Sequence, residues 1–321
     1  MRRDMSERSD AVTVGFDIGG TNMRAAAVTS DGQIIDSMSV PTPSTPELLE
    51  SGIIELVDAL RQKHEISAVG LAVAGFLDPD CEIVRFAPHL PWRDRAVRAE
   101  LSESLGLPVR LEHDANSAAW GEYRFGAAQG ADNWVLFAVG TGIGATLMHQ
   151  GEIYRGAFGT APEFGHLTVV PGGRGCSCGK RGCLERYCSG TALETTAREM
   201  IAAGKATDSV LIDALANGSL SGKRIMAAAG DGDQLACAVV EDFAQWMGRA
   251  LSIVADVLDP GLIVIGGGVS TASALYLDTA VETMSTSMVG AGYRPLPKVS
   301  CAELGGDAGM IGVSDLARQL V

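Results

Sequence analysis

The segment FDIGGTNMRAA, residues 16–26, places a glycine-rich turn between two short apolar runs. The runs on either side of the turn, residues 12–16 and 24–29, are rich in β-formers and, with residues 34–40, predict a three-stranded meander. A second segment, FAVGTGIGATL at residues 137–147, repeats the order of apolar run, Gly-Thr turn and apolar run. The repetition predicts two α/β lobes derived from one ancestral unit, with a chance likeness of glycine-rich hairpins as the alternative.

Helical and strand-like patterns alternate through the rest of the chain. Ser44 and Glu47 form a capping-box pair, and Pro46 suits a first helical turn. Apolar residues then recur at helical spacing between Leu49 and Leu60, which predicts a helix. The further predicted strands cover residues 68–73, 109–112, 134–139, 145–148 and 262–265, and the further predicted helices cover residues 95–105, 115–125, 191–201, 235–257 and 308–320.

The composition predicts an ordinary soluble globular protein. The chain has 321 residues, of which 46% are hydrophobic and 20% charged, and its formal net charge is -14. Nucleic acid and anionic membranes require a basic surface, so neither is expected as a partner. The sequence contains no apolar stretch of about 20 residues, the length that spans a bilayer.

The cysteines indicate a reducing compartment. Residues 1–10, MRRDMSERSD, are polar and predict a disordered tail that lacks the apolar stretch of a signal peptide. Without an export signal, seven cysteines indicate a cytoplasmic protein, in which clustered thiols bind metal or do redox chemistry more often than they form disulfides. Cys81, Cys188, Cys237 and Cys301 stand alone in the sequence and are interpreted as small core residues.

Three glycine turns follow predicted strands. They are DIGGT at residues 17–21, GTGIG at residues 140–144 and GGG at residues 266–268. A bare backbone can approach a phosphate closely, and Asp17 can hold a magnesium ion through water. Because ligands of open α/β folds gather at the carboxyl ends of strands, the turns predict one nucleotide in a cleft between the lobes. A glycine-rich hairpin without a ligand is the alternative for each turn taken alone.

The segment EHDAN, residues 112–116, places Asp114 where a predicted strand ends and a helix begins. A carboxylate in this position can face a cleft and act as a general base. It can equally be only the N-cap of the helix, a role that aspartate often fills. The spacing alone leaves both readings open.

The run CSCGKRGCLE holds three clustered thiols, Cys176, Cys178 and Cys183. A closed structural zinc site needs four ligands, and His166 in the segment EFGH lies ten residues before Cys176. One imidazole and three thiolates suit zinc and leave no position for a catalytic water. The sequence therefore predicts a structural zinc site.

Taken together, DIGGT, EHDAN, GTGIG, EFGH, CSCGKRGCLE and IGGG, in this order, resemble the ROK family of sugar kinases and regulators. The likeness extends from Val12 to Leu320. It implies an α/β protein with the two-lobed actin-like (ribonuclease H-like, ASKHA) fold and with ATP and sugar in the interlobe cleft. The implied small lobe comprises residues 11–126 and 306–321, and the implied large lobe, which carries the zinc motif, comprises residues 127–305.

The resemblance also implies the activity and the roles of site residues. The expected enzyme is an ATP-dependent hexose kinase of the glucokinase type, in which Asp114 takes the proton from the 6-hydroxyl of glucose and Mg²⁺ accompanies ATP. His166 would bind zinc through one ring nitrogen and the sugar through the other, and zinc would fix the loop that carries Glu185. The residues implied to bind ATP or phosphate are Asp17, Gly19, Gly20, Thr21, Asn22, Gly140, Thr141, Gly142, Gly266, Gly267 and Gly268. The residues implied to bind sugar are Gly75, His113, Asp114, Asn116, Glu163, His166 and Glu185.

Two positions depart from the family pattern. Relatives commonly have asparagine immediately before the catalytic aspartate, where this chain has His113, and close glucokinases tend to have asparagine where this chain has His89. Both replacements can be harmless. Fructose, mannose or N-acetylmannosamine remain open as alternative sugars, and polyphosphate as an alternative donor.

A sugar-responsive regulator is the second reading. Regulators of the family carry an N-terminal helix-turn-helix module, for which the sixteen residues before Asp17 are too few, and the net charge of -14 agrees. The expected partners are glucose and ATP, with no nucleic acid or membrane, and the expected assembly is a homodimer or homotetramer.

Overall fold

A computed structural model describes residues 11–205 and 208–321. The tail predicted at residues 1–10 lies outside the described residues. The chain forms two compact units. Unit 1 holds the described residues up to Ala131 together with Thr146–Pro162 and Glu303–Val321, and unit 2 holds the described parts of Asp132–Ala145 and Glu163–Ala302.

A five-stranded sheet forms the centre of unit 1, in the order β3-β2-β1-β4-β8. Strands β1 to β3 pair antiparallel, as the predicted meander requires, whereas β1, β4 and β8 pair parallel. Phe16, Leu71 and Leu111 are fully buried members of the core on this sheet. The strands are β1 (Val12–Ile18), β2 (Asn22–Val28), β3 (Ile34–Pro41), β4 (Ile66–Val73) and β8 (Val109–His113).

Helix α1 (Pro46–Arg61) covers one face of this core through its buried apolar residues Leu49 to Leu60. The predicted capping-box residue Ser44 is not the N-cap. Thr45 occupies that position, and its hydroxyl accepts a hydrogen bond of 3.3 Å from the Leu48 amide. Pro46 takes the first helical position, where its missing amide leaves no bond unmade.

Helices α3 (Asp114–Phe125) and α9 (Ala308–Arg318) pack against each other and complete unit 1. The backbone of α9 lies directly on β1, because a Cβ atom at Gly15 would fall 2.0 Å from the Met310 carbonyl oxygen. Helix α2 (Val97–Leu105) precedes β8. Between β4 and α2 lies a small antiparallel sheet that the sequence did not indicate: β5 (Phe76–Leu77), β6 (Val84–Phe86) and β7 (Arg93–Arg95).

A second five-stranded sheet has the order β11-β10-β9-β12-β13. Strands β9, β12 and β13 pair parallel, and β10 pairs antiparallel with β11. The two sheets therefore share one strand order, which agrees with the repeat seen in the sequence. The strands are β9 (Trp134–Val139), β10 (Ile143–His149), β11 (Glu152–Tyr154), β12 (Leu262–Gly266) and β13 (Lys298–Cys301).

The helices of unit 2 are mainly packed on the long helix α7, whose inner face is apolar along its whole length. Among the described residues, no helix is both long enough and apolar enough to cross a membrane. The helices are α4 (Gly190–Ala202), α5 (Val210–Ala216), α6 (Gly222–Gly230), α7 (Gln234–Leu258) and α8 (Leu277–Ser287).

Candidate active site

The DIGGT turn joins β1 to β2 in unit 1. Its shape is fixed by Thr42, whose hydroxyl donates to the Gly19 carbonyl at 2.6 Å and whose amide donates to the Thr21 carbonyl at 2.9 Å. Gly20 is exposed, and a Cβ atom there would lie 2.6 Å from the Cβ of His89. The turn can therefore hold His89 beside it only because Gly20 has no side chain. Asn22 begins β2.

Asp17 lies at the end of β1, directly before this turn. Burial raises the pKa of its carboxyl above the ordinary value of 3.8, the charge of Asp114 raises it further, Arg24 opposes the rise and Asp307 adds to it. Arg24 itself donates to Asp307 and to the Gly306 carbonyl. A partly buried carboxylate among other acids is a favourable place for a divalent cation, because the cation relieves the repulsion.

Asp114 is the first residue of α3, and its side chain is 46% exposed. The N-cap is His113, whose side chain makes no capping bond, so Asp114 is not the N-cap of α3. The Asp114 carboxylate is oriented through one oxygen. Oδ1 accepts the Ala115 amide at 2.7 Å and lies 3.2 Å from Nδ1 of His113.

Asn116 and Gly75 are both buried in unit 1. The Asn116 amide donates to Glu112 at 3.0 Å and its carbonyl oxygen accepts from Thr146 at 3.0 Å. The side chain predicted to contact sugar therefore makes two hydrogen bonds within unit 1, and its contact with sugar stays a prediction. A Cβ atom at Gly75 would lie 2.8 Å from the Phe86 carbonyl oxygen, so this position admits only glycine.

Unit 2 contains a cavity of about 940 Å³ at two of the three glycine turns. Gly140 and Thr141 contribute the first turn, and Gly268 contributes the other. The rest of the lining comes from α4, α6 and the 3₁₀ turn after β12 and is mainly apolar. The lining residues are Gly140, Thr141, Gly190, Thr191, Leu193, Glu194, Gly222, Lys223, Met226, Ala227, Gly268, Val269, Thr271, Ala272, Ala274 and Leu275.

Two helix N-termini at this cavity were missed by the sequence reasoning. Helices α4 and α6 each have a serine N-cap, Ser189 or Ser221, followed by glycine. The Gly190 amide donates to the Gly140 carbonyl at 2.8 Å, so the start of α4 contacts the GTGIG turn through its backbone. The repeated Ser-Gly pair before an apolar helical run is the signal that could have identified them.

The remaining glycines of the predicted nucleotide turns have packing roles. Gly267 has a φ of 79°, and a Cβ atom there would lie 2.4 Å from the Val139 carbonyl oxygen. Gly266 is the buried last residue of β12. A Cβ atom at Gly142 would lie 2.6 Å from Oε2 of Glu185, so Gly142 leaves room for a predicted sugar-binding carboxylate.

The four predicted zinc ligands converge in unit 2. Their ligand atoms all lie within 4.8 Å of one another. Sγ of Cys178 lies 3.6 Å from Sγ of Cys183, and Sγ of Cys176 lies 3.7 Å from Nδ1 of His166. These separations fit zinc, because Zn–S bonds of ~2.3 Å give tetrahedron edges of roughly 3.8 Å. Cys188 is fully buried elsewhere, with its Sγ 3.9 Å from Sδ of Met247.

The predicted sugar-binding side chains of unit 2 surround this cluster. His166 directs Nδ1 toward the thiols, and its Nε2 lies 4.0 Å from Oε2 of Glu163. Glu185 follows Cys183 in a short 3₁₀ turn, with Oε1 3.0 Å from Sγ of Cys176. The carboxylates of Glu163 and Glu185 therefore reach the cluster from two separate 3₁₀ turns, the first of which also carries His166.

The ROK family model matches residues 13–320. Glucokinase of Streptomyces coelicolor is 40% identical over 311 residues, which cover 96% of this chain and 98% of that protein. Glucokinase of Halalkalibacterium halodurans is 36% identical over 325 residues, covering 97% and 96%.

Among solved structures, a ROK family glucokinase from Streptomyces griseus in complex with glucose and AMPPNP matches with a TM-score of 0.82 and 39% identity. The match covers 96% of this chain and 99% of that chain. It confirms the predicted α/β fold of the two-lobed actin-like class. With a family match over nearly its whole length, the chain belongs to the ROK family.

Proposed function

We propose that this chain is an ATP-dependent glucokinase, which transfers the γ-phosphoryl group of Mg-ATP to the 6-hydroxyl of glucose. The observation that carries the proposal is the placement of Asp114, an accessible carboxylate held through one oxygen at the start of α3. The likeness to glucokinases over 96% of the chain supports the choice of sugar and donor.

The proposed reaction needs a base, a phosphate-binding turn and charge neutralisation. Asp114 accepts the proton of the 6-hydroxyl while that oxygen forms a bond to the γ-phosphorus and the bond to the β-phosphate oxygen breaks. The Gly19 amide of the DIGGT turn already donates to the Asn22 carbonyl, which leaves the amides of Gly20 and Thr21 to donate to phosphate oxygens. Asp17 would hold the cation through water. Mg²⁺ bound to ATP neutralises the charge that collects on the phosphate oxygens.

The cavity in unit 2 is the proposed site for the nucleoside part of ATP. Leu193, Met226 and Val269 offer apolar contacts to a base, and Lys223 offers a positive charge. The N-terminus of α6 carries partial positive charge toward bound phosphate. The N-terminus of α4 contributes less, because the amides of Gly190 and Thr191 already donate to carbonyls of the GTGIG turn. This lining favours a nucleotide over polyphosphate as donor, because polyphosphate has no apolar part to bury.

Glu163, His166 and Glu185 are proposed to bind hydroxyls of the sugar. His166 can serve the metal and the sugar at once, because its two ring nitrogens point to different partners. The proposed metal is zinc bound by His166, Cys176, Cys178 and Cys183. With four protein ligands it would be structural and would order the segment that bears Glu185.

A coupled assay with a panel of sugars and two donors tests the proposal. We expect ATP with glucose to give a higher kcat/KM than mannose, fructose or N-acetylmannosamine, and than polyphosphate with any of them. Turnover of another hexose at a higher kcat/KM would replace glucose, and no turnover of any sugar by folded protein would favour the regulator. A cytoplasmic homodimer or homotetramer stays the expected assembly, and sedimentation equilibrium measures its subunit number directly.

A further inference from the structure

Glu112 is a fully buried carboxylate at the end of β8, two residues before Asp114. Its Oε2 accepts a hydrogen bond of 3.0 Å from Nη2 of Arg110. It accepts another from Nη2 of Arg155, which follows strand β11. The three residues form a charge cluster in unit 1, a fully buried carboxylate held by two partly buried arginines, called here the Glu112 triad.

Stability does not account for this triad. Burial alone would raise the pKa of Glu112, but the charge and hydrogen bond of Arg155, together with Arg110, lower it below the ordinary value of 4.5. The triad is therefore ionised, and ionised groups lose their hydration when they are buried. Well-packed apolar side chains of similar volume often stabilise a protein as well as a buried ion cluster, or better. A cluster of this kind so close to Asp114 calls for another role.

The second oxygen of Glu112 reaches the junction between β8 and α3. Oε1 accepts the His113 amide at 3.2 Å and the Asn116 side-chain amide at 3.0 Å. Asn116 in turn accepts the Thr146 hydroxyl at 3.0 Å. The chain on both sides of Asp114 is thus bonded to a carboxylate that two arginines hold in place.

We propose that Glu112 is a positioning residue for Asp114. The triad fixes Oε2, Oε1 then fixes His113 and Asn116, and these two set the direction in which the Asp114 carboxylate leaves the helix. Asp114 contacts substrate in the proposed function, and the inference rests on that function in this respect alone. Misplacing a reacting group by about 1 Å can lower a rate by about 10².

The test replaces the triad by apolar residues of similar size, Arg110→Met with Glu112→Leu and Arg155→Met. The variant leaves no buried charge unpaired, but the His113 amide and the Asn116 side-chain amide lose their acceptor. We therefore expect it to fold, with a melting temperature at or moderately below that of the wild type. Dissociation constants for glucose and ATP should stay within about threefold, whereas kcat should fall by about 10 to 10². Thr146→Val is a milder second variant that removes only the bond to Asn116, and its kcat should fall by about twofold to fivefold.

A double-mutant comparison separates positioning from a merely structural effect. If Glu112 acts through Asp114, the triad replacement should lower kcat in the wild type but add no loss to the Asp114→Asn protein. An equal loss in both backgrounds would overturn the inference. A triad variant that folds and retains wild-type kcat would overturn it too.

A second buried carboxylate in the same unit gives a matched control. The Asp315 carboxylate accepts hydrogen bonds from Nε1 of Trp120 at 2.8 Å and from Nε of Arg124 at 3.1 Å. Both donors lie toward the C-terminal end of α3. The control Arg124→Met with Asp315→Asn should alter the melting temperature and leave kcat unchanged.

Failure of the proposed function and failure of the positioning inference give different results. If Asp114→Asn keeps wild-type turnover, the proposed function is wrong. If Asp114→Asn is inactive while the triad variant is fully active, only the positioning inference fails.

Discussion

Asp17 carries a charge that its own surroundings oppose. Burial raises the pKa of this carboxyl, and so does the nearby charge of Asp114. A folded-state pKa above the unfolded value of 3.8 means that the folded protein holds this proton more tightly than the unfolded chain. The resulting stabilisation is complete below the unfolded pKa and is lost as the pH rises through the folded pKa. At neutral pH the ionised Asp17 therefore destabilises the fold.

Asp17→Asn should thus raise the melting temperature at pH 7.5, with a smaller gain near pH 3, while turnover falls by about 10² because the cation loses its carboxylate. Thermal denaturation at both pH values and a coupled assay measure the two effects. Asp36→Asn is the control of opposite sign, because the bond from Lys63 lowers the pKa of Asp36. A lower melting temperature for Asp17→Asn at pH 7.5 would mean that the charge of Asp17 is stabilised in the fold.

Asp114→Asn should keep glucose binding within a few-fold and lower kcat by about 10² to 10⁴, the range for a lost general base. The replacement keeps the size of the side chain and its ability to accept from the Ala115 amide. Since His113 is the N-cap, little stability should be lost. Turnover and glucose affinity must be measured on one folded sample. Near-wild-type turnover would leave Asp114 without a catalytic role.

At the scale of single elements, the shape of the loop between Cys176 and Cys183 depends on its glycines. Gly179 and Gly182 have φ values of 88° and 78°, which other residues rarely adopt. A Cβ atom at Gly182 would also fall 1.7 Å from the Val170 carbonyl oxygen. These turns bring the thiols together, and a bound zinc ion would hold the loop closed.

We expect one zinc per chain in the wild type. Cys178→Ser should lose this zinc and bind glucose more weakly, because the freed loop carries Glu185. Cys188→Ser should retain the metal, since the Cys188 thiol lies against Met247 and outside the ligand set. Elemental analysis and glucose titration of the two variants measure this difference. Equal zinc loss in both variants would show that the ligand set is wrong.

Long elements with a clear period were predictable from the sequence, and short or backbone-built ones were not. Strand β9 was predicted with the bounds that it has, residues 134–139, because all six residues are apolar and turns flank them. Strands β5 to β7 were missed, since two or three residues cannot show a period. The cap at Thr45 was missed because Ser44 offered the same chemistry one residue earlier.

The site shows the same division. The cluster of His166, Cys176, Cys178 and Cys183 could be predicted, because thiols and imidazole have a metal-binding chemistry that is visible in the sequence. The walls of the cavity in unit 2, the proposed nucleoside site, could not be predicted, because Gly190 and Gly222 contribute backbone to it and no side-chain chemistry. The hydrogen bonds of Asn116 to Glu112 and Thr146 could not be predicted, because the three residues come together only in the fold.

At the scale of the whole molecule, both sheets follow one strand order, and the chain returns at its end to finish unit 1. Helix α9 lies against β1 and β4 through Gly15 and Gly70. On another side it meets α3, the helix that begins with Asp114. Helix α9 therefore packs against the helix that carries Asp114, the proposed base.

The contact between α9 and α3 makes a sharp prediction about two glycines in one helix. A Cβ atom at Gly312 would lie 1.8 Å from the Ser117 carbonyl oxygen and 2.6 Å from the Gly121 amide, both of them backbone atoms of α3. Gly312→Ala must push the helices apart, and we expect it to lower the free energy of unfolding by about 1 to 3 kcal/mol.

Gly309, in the same helix, gives the control. Apart from its own helix backbone and chain neighbours, a Cβ atom there would meet no atom of the described residues within 4 Å. Gly309→Ala should therefore raise the free energy of unfolding by about 0.5 to 1 kcal/mol, since alanine loses less backbone entropy in a helix. Urea denaturation of the wild type and the two variants measures these changes in the free energy of unfolding. Equal effects from the two replacements would mean that α9 does not pack on α3 backbone to backbone.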